Sequence, residues 1–268
     1  MSSTTSASGA ASDAAFVAKL ARSTGDLLLG YFHKKNLNGH LKKDFSLVTD
    51  ADVAADQSIH DALAVAYPDD AVISEELAPT AGNGSSAVWV VDPLDGTTNF
   101  SLGLPHWGVS IARLVYGRPV VAALYFPLLD ELFTASCGEG AFLNGEPTRV
   151  ATPAENHGLG FLACCSRTHL RYHVALPLKT RILGSAAYSL CAVAKGSAAA
   201  ALETTPRLWD IAAAWLVVEE AGGVVAPFEG EGAFPLVTGQ GYSDRPFATM
   251  AASSVDLARD MRDSITPR

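Results

Sequence analysis

Basic charge is scarce in this chain: 19 Lys and Arg stand against 28 Asp and Glu, a net charge of −9. Phosphate backbones demand a basic face, so this balance argues against a sequence-independent nucleic-acid binder and leaves room for bound cations. Cysteine is scarce too. Cys137, Cys164, Cys165 and Cys191 form no CxxC pair and no Cys/His ligand spacing, which predicts reduced thiols packed in the core of a cytoplasmic protein. No apolar run nears the ~18 residues that a membrane span needs. The first fifteen residues, MSSTTSASGAASDAA, lack both a basic start and an apolar segment. They do not read as a secretory signal, and a disordered tail over residues 1–12 is the expectation.

What is present is apolar and ordered. Of 268 residues, 49% are hydrophobic and 18% charged, a globular composition of one large domain or two packed smaller ones. From Phe16 to Phe32, Phe16, Leu20, Leu27, Leu28, Tyr31 and Phe32 recur near helical spacing and predict an amphipathic helix. A second helix is expected over 51–66, with Ile59 and Leu63 on its buried face, Asp56 and Asp61 elsewhere, and Pro68 as its stop. Short β-rich runs follow at 71–74, 87–91, 107–116, 119–126 and 131–135, with turns at Gly117-Arg118 and Asn144-Gly145. No long helix separates them, so an antiparallel sheet covered by the two helices is expected for residues 13–150. Helices at 183–196 and 209–221 alternate with strands at 199–203 and VVAP, predicting an α/β half over 151–268 and a cleft between the halves.

The stretch WVVDPLDGTTNF, residues 89–100, carries the chemistry. AVWVV is apolar at every position, as in a strand buried on both faces, so Asp92 falls where a core strand ends. A carboxylate there is costly unless it is paired or coordinates a metal. Pro93 constrains the backbone, and Asp92, Asp95 and the Leu94 carbonyl can converge as an all-oxygen site suited to magnesium, manganese or calcium. Gly96-Thr97-Thr98 then supplies successive backbone N–H groups, a ready anion site. Asp and Gly are also ordinary turn residues, and the spacing alone fits a capped turn as well. ISEE at 73–76 places further carboxylates at a strand end, and spacing does not say which of Glu75 and Glu76 is solvated. Asp210 opens an apolar helix, where it is either a ligand or a charge set against the helix dipole.

Four segments in order, SLVTDAD, ISEE, DPLDGTTNF and WDIAAAWLVVEEAGG, resemble those of the inositol monophosphatase family of magnesium-dependent, lithium-sensitive phosphatases. The resemblance implies a layered α-β-α-β-α sandwich. It also implies that Glu75, Asp92 and the Leu94 carbonyl hold one Mg2+, that Asp92 bridges to a second held by Asp95 and Asp210, and that a third binds weakly near Glu75. Glu75 and Thr97 would orient or deprotonate the attacking water, Asp52 would keep Thr97 aimed, and the Gly96-Thr97-Thr98 turn would hold the phosphate. His106 is a rival nucleophile, but no His/Asp pairing surrounds it, and a loop or core histidine is the expectation. Lys42 and Lys43 both fit the lysine that the family places upstream.

The substrate follows from weaker resemblances. Glu203 stands seven residues before Asp210, where inositol phosphatases contact ring hydroxyls, and Gly184-Ser185-Ala186 matches their substrate segment. A small phosphorylated polyol such as myo-inositol 1-phosphate is implied, with fructose 1,6-bisphosphate, histidinol phosphate and 3′-phosphoadenosine 5′-phosphate as alternatives. Arg167, Arg171 and Arg181, around HLRYH, could converge on a second phosphate. A homodimer is implied by the same resemblance. A regulatory or RNA-associated scaffold is the alternative of another class, which the acidic charge disfavours.

Overall fold

A computed structural model describes residues 4–34, 39–41, 47–83, 86–152, 155, 159–237, 241–242 and 245–268. Chain order runs α1 (Thr4–Phe32), the small hairpin β1 (Gly39–Leu41) and β2 (Leu47–Thr49), α2 (Asp50–Ala66), β3 (Ala71–Ser74), β4 (Ala87–Asp95) and α3 (Thr97–Leu102). A meander follows: β5 (Gly108–Val115), β6 (Arg118–Phe126), β7 (Glu131–Ser136), β8 (Gly140–Leu143) and β9 (Glu146–Thr148). The second half adds β10 (Phe161–Cys164), α4 (Thr168–Arg171), β11 (Tyr172–Val174), β12 (Lys179–Arg181), α5 (Ala186–Ala194), β13 (Ala200–Glu203) and α6 (Leu208–Glu220). It ends with β14 (Val224–Pro227), β15 (Thr249–Ala252), α7 (Val255–Ser264) and β16 (Ile265–Pro267).

The period-2 alternation of side chains on strands builds the layers. Along β4, Trp89 and Val91 pack on α1 and α2, while Val90 packs on α5 and α6. On β6, Val121, Ala123 and Tyr125 face the first pair of helices, and Ala122, Leu124 and Phe126 the second. The second sheet repeats the rule: Ala163, Ala201 and Ala251 face α5 and α6, whereas Leu162, Leu202 and Met250 face α7. The order is therefore α1/α2, a seven-stranded sheet, α5/α6, a five-stranded sheet, and α7, the mixed α+β sandwich that was expected. Alanines line both sheet faces toward the middle helices, which are themselves rich in alanine, so the layers approach closely. No helix among the described residues is long and apolar enough to cross a membrane.

Three expectations need correction. The first helix begins at Thr4, so residues 4–12, expected to belong to a disordered tail, are helical; their alanine and serine continue the helix that the apolar face at Val17, Leu20 and Leu28 anchors on the sheet. The sheet of order β3-β4-β5-β6-β7-β8-β9 is antiparallel except at its edge, where β3 and β4 run parallel with Ser74 opposite Val91. The long connection over residues 75–86 permits that crossover. Finally, β4 does not end at Asp92 but continues to Asp95 through a register shift against β5, around Pro93. The Asn144-Gly145 corner holds, while the first corner falls one residue earlier than expected, at Tyr116-Gly117, because Arg118 already opens β6; each corner pairs two positive φ angles, 53° and 84°, 50° and 76°.

Candidate active site

The parallel pairing decides where the acids go. Because β3 and β4 point the same way, Glu75 follows Ser74 at the sheet end where Asp92 emerges. An antiparallel β3 would have placed it at the opposite end. Asp92 pairs with Ser110 on β5, and the Ser110 hydroxyl donates to the Trp209 carbonyl at 3.3 Å, which ties the start of α6 to the same spot. One oxygen from each of Glu75, Asp92 and Asp210 consequently lies within 4.8 Å of the others. Asp92 is fully buried, and the other two are half-buried.

Burial holds the Asp92 carboxyl well above the usual carboxylate range, and the charges of Glu75, Asp95 and Asp210 push it further. Asp210 is raised for the same reasons, burial first and then Asp95 and Glu75. The two carboxyls face each other in the same cavity, where a shared proton or a cation relieves their repulsion. Three hard oxygen donors gathered against their own repulsion suit a divalent cation, which removes the penalty that a proton otherwise relieves. Asp210 caps its helix and faces the cavity at once: its Oδ2 accepts the Arg207 N–H at 2.8 Å, closing the first turn of α6, while the side chain lines the cavity.

Asp95 is placed differently. It lines the same cavity of about 210 Å³, but its Oδ2 accepts the Ser185 hydroxyl and the Ala187 N–H (3.1 Å), and its Oδ1 the Ala186 N–H (3.2 Å). Asp95 thus sits on the first turn of α5, outside the close triad of carboxylates. Burial raises its pKa to about 6 against these lowering bonds. The Leu94 carbonyl, Gly96, Thr97 and Thr98 complete the cavity wall. Gly96 has φ +89°, and a Cβ there would meet the His106 carbonyl at 2.8 Å, so glycine is required.

Thr97 carries the expected link to Asp52. Its Oγ1 lies 3.0 Å from Asp52 Oδ1 and 3.0 Å from the Leu94 carbonyl. The other Asp52 oxygen accepts the Thr49 N–H at 2.8 Å and the Thr49 hydroxyl at 2.6 Å, the capping box of α2. One carboxylate therefore starts a helix and holds the threonine beside the acids.

A second cavity of about 250 Å³ adjoins the first and shares Asp95, Gly184 and Asp210 with it. Ser185 and Ala186 line it at the start of α5, and Glu203, 4% exposed at the end of β13, supplies its carboxylate. Burial, followed by Cys165, raises the Glu203 carboxyl strongly. Arg167, Arg171 and Arg181 are exposed and line neither cavity. His106 packs its ring on Tyr188 at 4.9 Å, and burial and Lys195 lower its pKa. Lys42 and Lys43 lie outside the described residues.

Two residues escaped the sequence reading. Asn99, within DPLDGTTNF, is buried on α3 and its Nδ2 donates to the carbonyls of His106 (2.7 Å) and Leu183 (2.8 Å). Asp56, expected away from the buried face of α2, is 0% exposed and bonds the turn that carries Glu75. Its place four residues after Asp52 was the available signal.

Comparison with known proteins agrees with this fold. A Nus factor SuhB of Pasteurella multocida (strain Pm70) is 35% identical over 260 residues, 93% of this chain and 94% of that one. The solved extragenic suppressor protein suhB of Bartonella henselae, 30% identical, superposes with a TM-score of 0.80 over 93% of this chain and 96% of its own. An IMPase of Thermotoga maritima, 28% identical, gives 0.78 over 93% and 94%. The Inositol monophosphatase family matches residues 11–258, a span that takes in every acidic residue described above. The chain therefore belongs to the inositol monophosphatase family of metal-dependent phosphatases.

Proposed function

We propose that the chain hydrolyses the phosphate monoester of a small polyol, myo-inositol 1-phosphate first among them, with Mg2+ as its metal and Mn2+ able to replace it. The supporting observation is the pair of adjoining cavities: one holds the acids beside the Gly96–Thr98 turn, and the other holds Glu203 with no Lys, Arg or His in its lining among the described residues. Polyol hydroxyls can donate to Glu203. A second phosphate would meet Asp95, Glu203 and Asp210 with no facing cation, which disfavours fructose 1,6-bisphosphate and 3′-phosphoadenosine 5′-phosphate.

Glu75, Asp92, the Leu94 carbonyl and Asp210 are the groups that would hold Mg2+, which supplies positive charge to the phosphate and acidity to a nearby water. Asp95 would join a second ion only through lone pairs left over from its bonds to α5. Thr97, bonded to Asp52, orients the water, and Glu75 is the carboxylate within the same cavity that takes its proton. The Gly96 and Thr97 N–H groups hold the phosphate oxygens as charge develops on them. The alcohol leaves into the second cavity, oriented by Glu203. His106, packed on Tyr188, has no part as nucleophile.

The test is a panel of inositol 1-phosphate, fructose 1,6-bisphosphate, histidinol phosphate and phosphoadenosine phosphate at saturating Mg2+, ranked by kcat/KM. Inositol 1-phosphate is expected first; a bisphosphate ranked first would refute the substrate assignment, and undiminished turnover by Asp92→Asn would refute the metal chemistry. The resemblance extends the proposal to a homodimer, read by sedimentation, and to inhibition by lithium. A cytoplasmic location fits the four free cysteines.

The curated relatives named Nus factor SuhB support a second reading, a role in transcription beside hydrolysis. The net charge of −9 disfavours direct nucleic-acid contact, so such a role would run through a protein partner. Retention of RNA by the isolated chain would contradict that route.

A further inference from the structure

The turn that carries Glu75 hangs on one oxygen atom. Asp56 Oδ2 accepts the Ser74 hydroxyl at 2.7 Å, the Leu77 N–H at 3.0 Å and the Glu76 N–H at 3.1 Å. The Ser74 hydroxyl oxygen also accepts the Leu77 N–H, at 3.3 Å. Between these anchored residues stands Glu75. The bonds span about twenty residues of sequence and join α2 to the loop after β3.

Nothing in the packing of α2 asks for an acid at this place. Asp56 is 0% exposed among Ala55, Ile59 and Leu63, where an apolar side chain would sit without the cost of a buried carboxylate. Among the described residues its second oxygen, Oδ1, has no hydrogen-bond partner, and it faces His60 Nε2 across 3.8 Å. His60 Nε2 is likewise buried with no other partner. Buried polar atoms left this way are rare, and among the described residues the two face each other. Asp52 lies one turn earlier on the same helix and bonds Thr97. Two carboxylates one turn apart on α2 therefore serve two separate parts of the site.

We propose that Asp56 is a positioning residue for the metal centre: it fixes the Ser74–Leu77 turn so that Glu75 converges on Asp92 and Asp210, and His60 steadies its carboxylate from behind. The inference rests on the metal reading above. It assigns Asp56 no contact with metal or substrate. The cost of losing such support is typically about tenfold to a hundredfold in metal affinity.

The test is calorimetric titration of Mn2+ into the unaltered chain, Asp56→Ala and Ile59→Ala, with thermal midpoints of each recorded free of metal. Ile59→Ala loosens the same helix without touching the turn. Asp56→Ala is expected to weaken Mn2+ binding by about tenfold or more, while Ile59→Ala stays within about twofold of the unaltered chain at a comparable loss of thermal midpoint. Mn2+ affinity unchanged in Asp56→Ala, or lost equally in Ile59→Ala, overturns the proposal. Should Asp56→Ala not fold, Ser74→Ala removes one of the three donors, and about a threefold loss is expected; no loss there overturns it as well. Failure of the unaltered chain to bind Mn2+ would instead sink the metal centre itself, and this proposal with it.

Discussion

Asn99 and Leu183 are joined by a hydrogen bond of 2.8 Å, from a side-chain amide on α3 to a backbone carbonyl 84 residues later. The same nitrogen donates to the His106 carbonyl at 2.7 Å, so one side chain fastens α3 and the loop after it to the segment leading into α5. Gly184 fits against it closely. A Cβ there would lie 2.6 Å from Asn99 Oδ1, at φ +78°.

Asn99→Ala should therefore separate the two cavities' walls. Both carbonyls lose a buried donor, a cost of about 1–3 kcal/mol each. Misplacement on the scale of an ångström can lower turnover by about a hundredfold. Steady-state kinetics should show the loss mainly in kcat, and Gly184→Ala should show the same pattern.

Asp92→Asn and Asp210→Asn remove charges that the proposed cation would offset. Metal-dependent turnover should fall by about a hundredfold or more. Metal-free stability should rise, because each change deletes a buried carboxyl whose ionisation burial opposes. Thermal melts with and without Mg2+ check both signs: the variants should melt higher than the unaltered chain without metal and gain less from adding it.

The same carboxyls set a pH dependence. Asp95 has its pKa raised from 3.8 to about 6, and Asp92 and Asp210 are raised well above theirs. The folded chain thus binds more protons than the unfolded one, so stability is full below the ordinary carboxylate range and is lost as pH climbs through the raised values. For Asp95 that window runs from 3.8 to about 6. Metal-free thermal midpoints should fall as pH rises across it and beyond. Mg2+ competes with those protons, so the gain from adding it should grow with pH.

Glu203→Gln tests the proposed role of the second cavity in holding the leaving alcohol. Activity on inositol 1-phosphate should drop by about tenfold in kcat/KM, since a neutral amide accepts more weakly than a carboxylate. Relative activity on bisphosphates should rise. Metal-free stability should become less sensitive to rising pH, since glutamine removes a carboxyl whose ionisation burial opposes.

Much of this was legible in residue order, for identifiable reasons. Asp92, Leu94, Asp95 and Gly96 were readable because a proline and a glycine constrain five consecutive residues, leaving few backbone paths. Glu75 and Asp210 could be named as strand-end and helix-start acids, but their meeting depends on β3 running parallel to β4, which alternation of side chains does not reveal. Asp56 was placed on the wrong face because hydrophobicity defines a helix face by its apolar members, and a buried acid breaks that rule. Asn99 carried no signal at all, since an amide is as common in exposed turns as in buried clamps. Asp95's bonds to α5 were equally hidden, because they join residues about ninety positions apart.

The middle layer of helices has a consequence for how the protein can be divided. α5 and α6 pack on both sheets and deliver Ser185, Ala186 and Asp210 from the far side of residue 150. A cut in the chain between β9 and β10 would leave Glu75, Asp92, Asp95 and Thr97 on one piece, and Glu203 and Asp210 on the other. Neither fragment would own a complete cage, and the first would expose the alanine-lined face of its sheet. Reassociation of the two pieces would bury that face again and restore the cage in the same event.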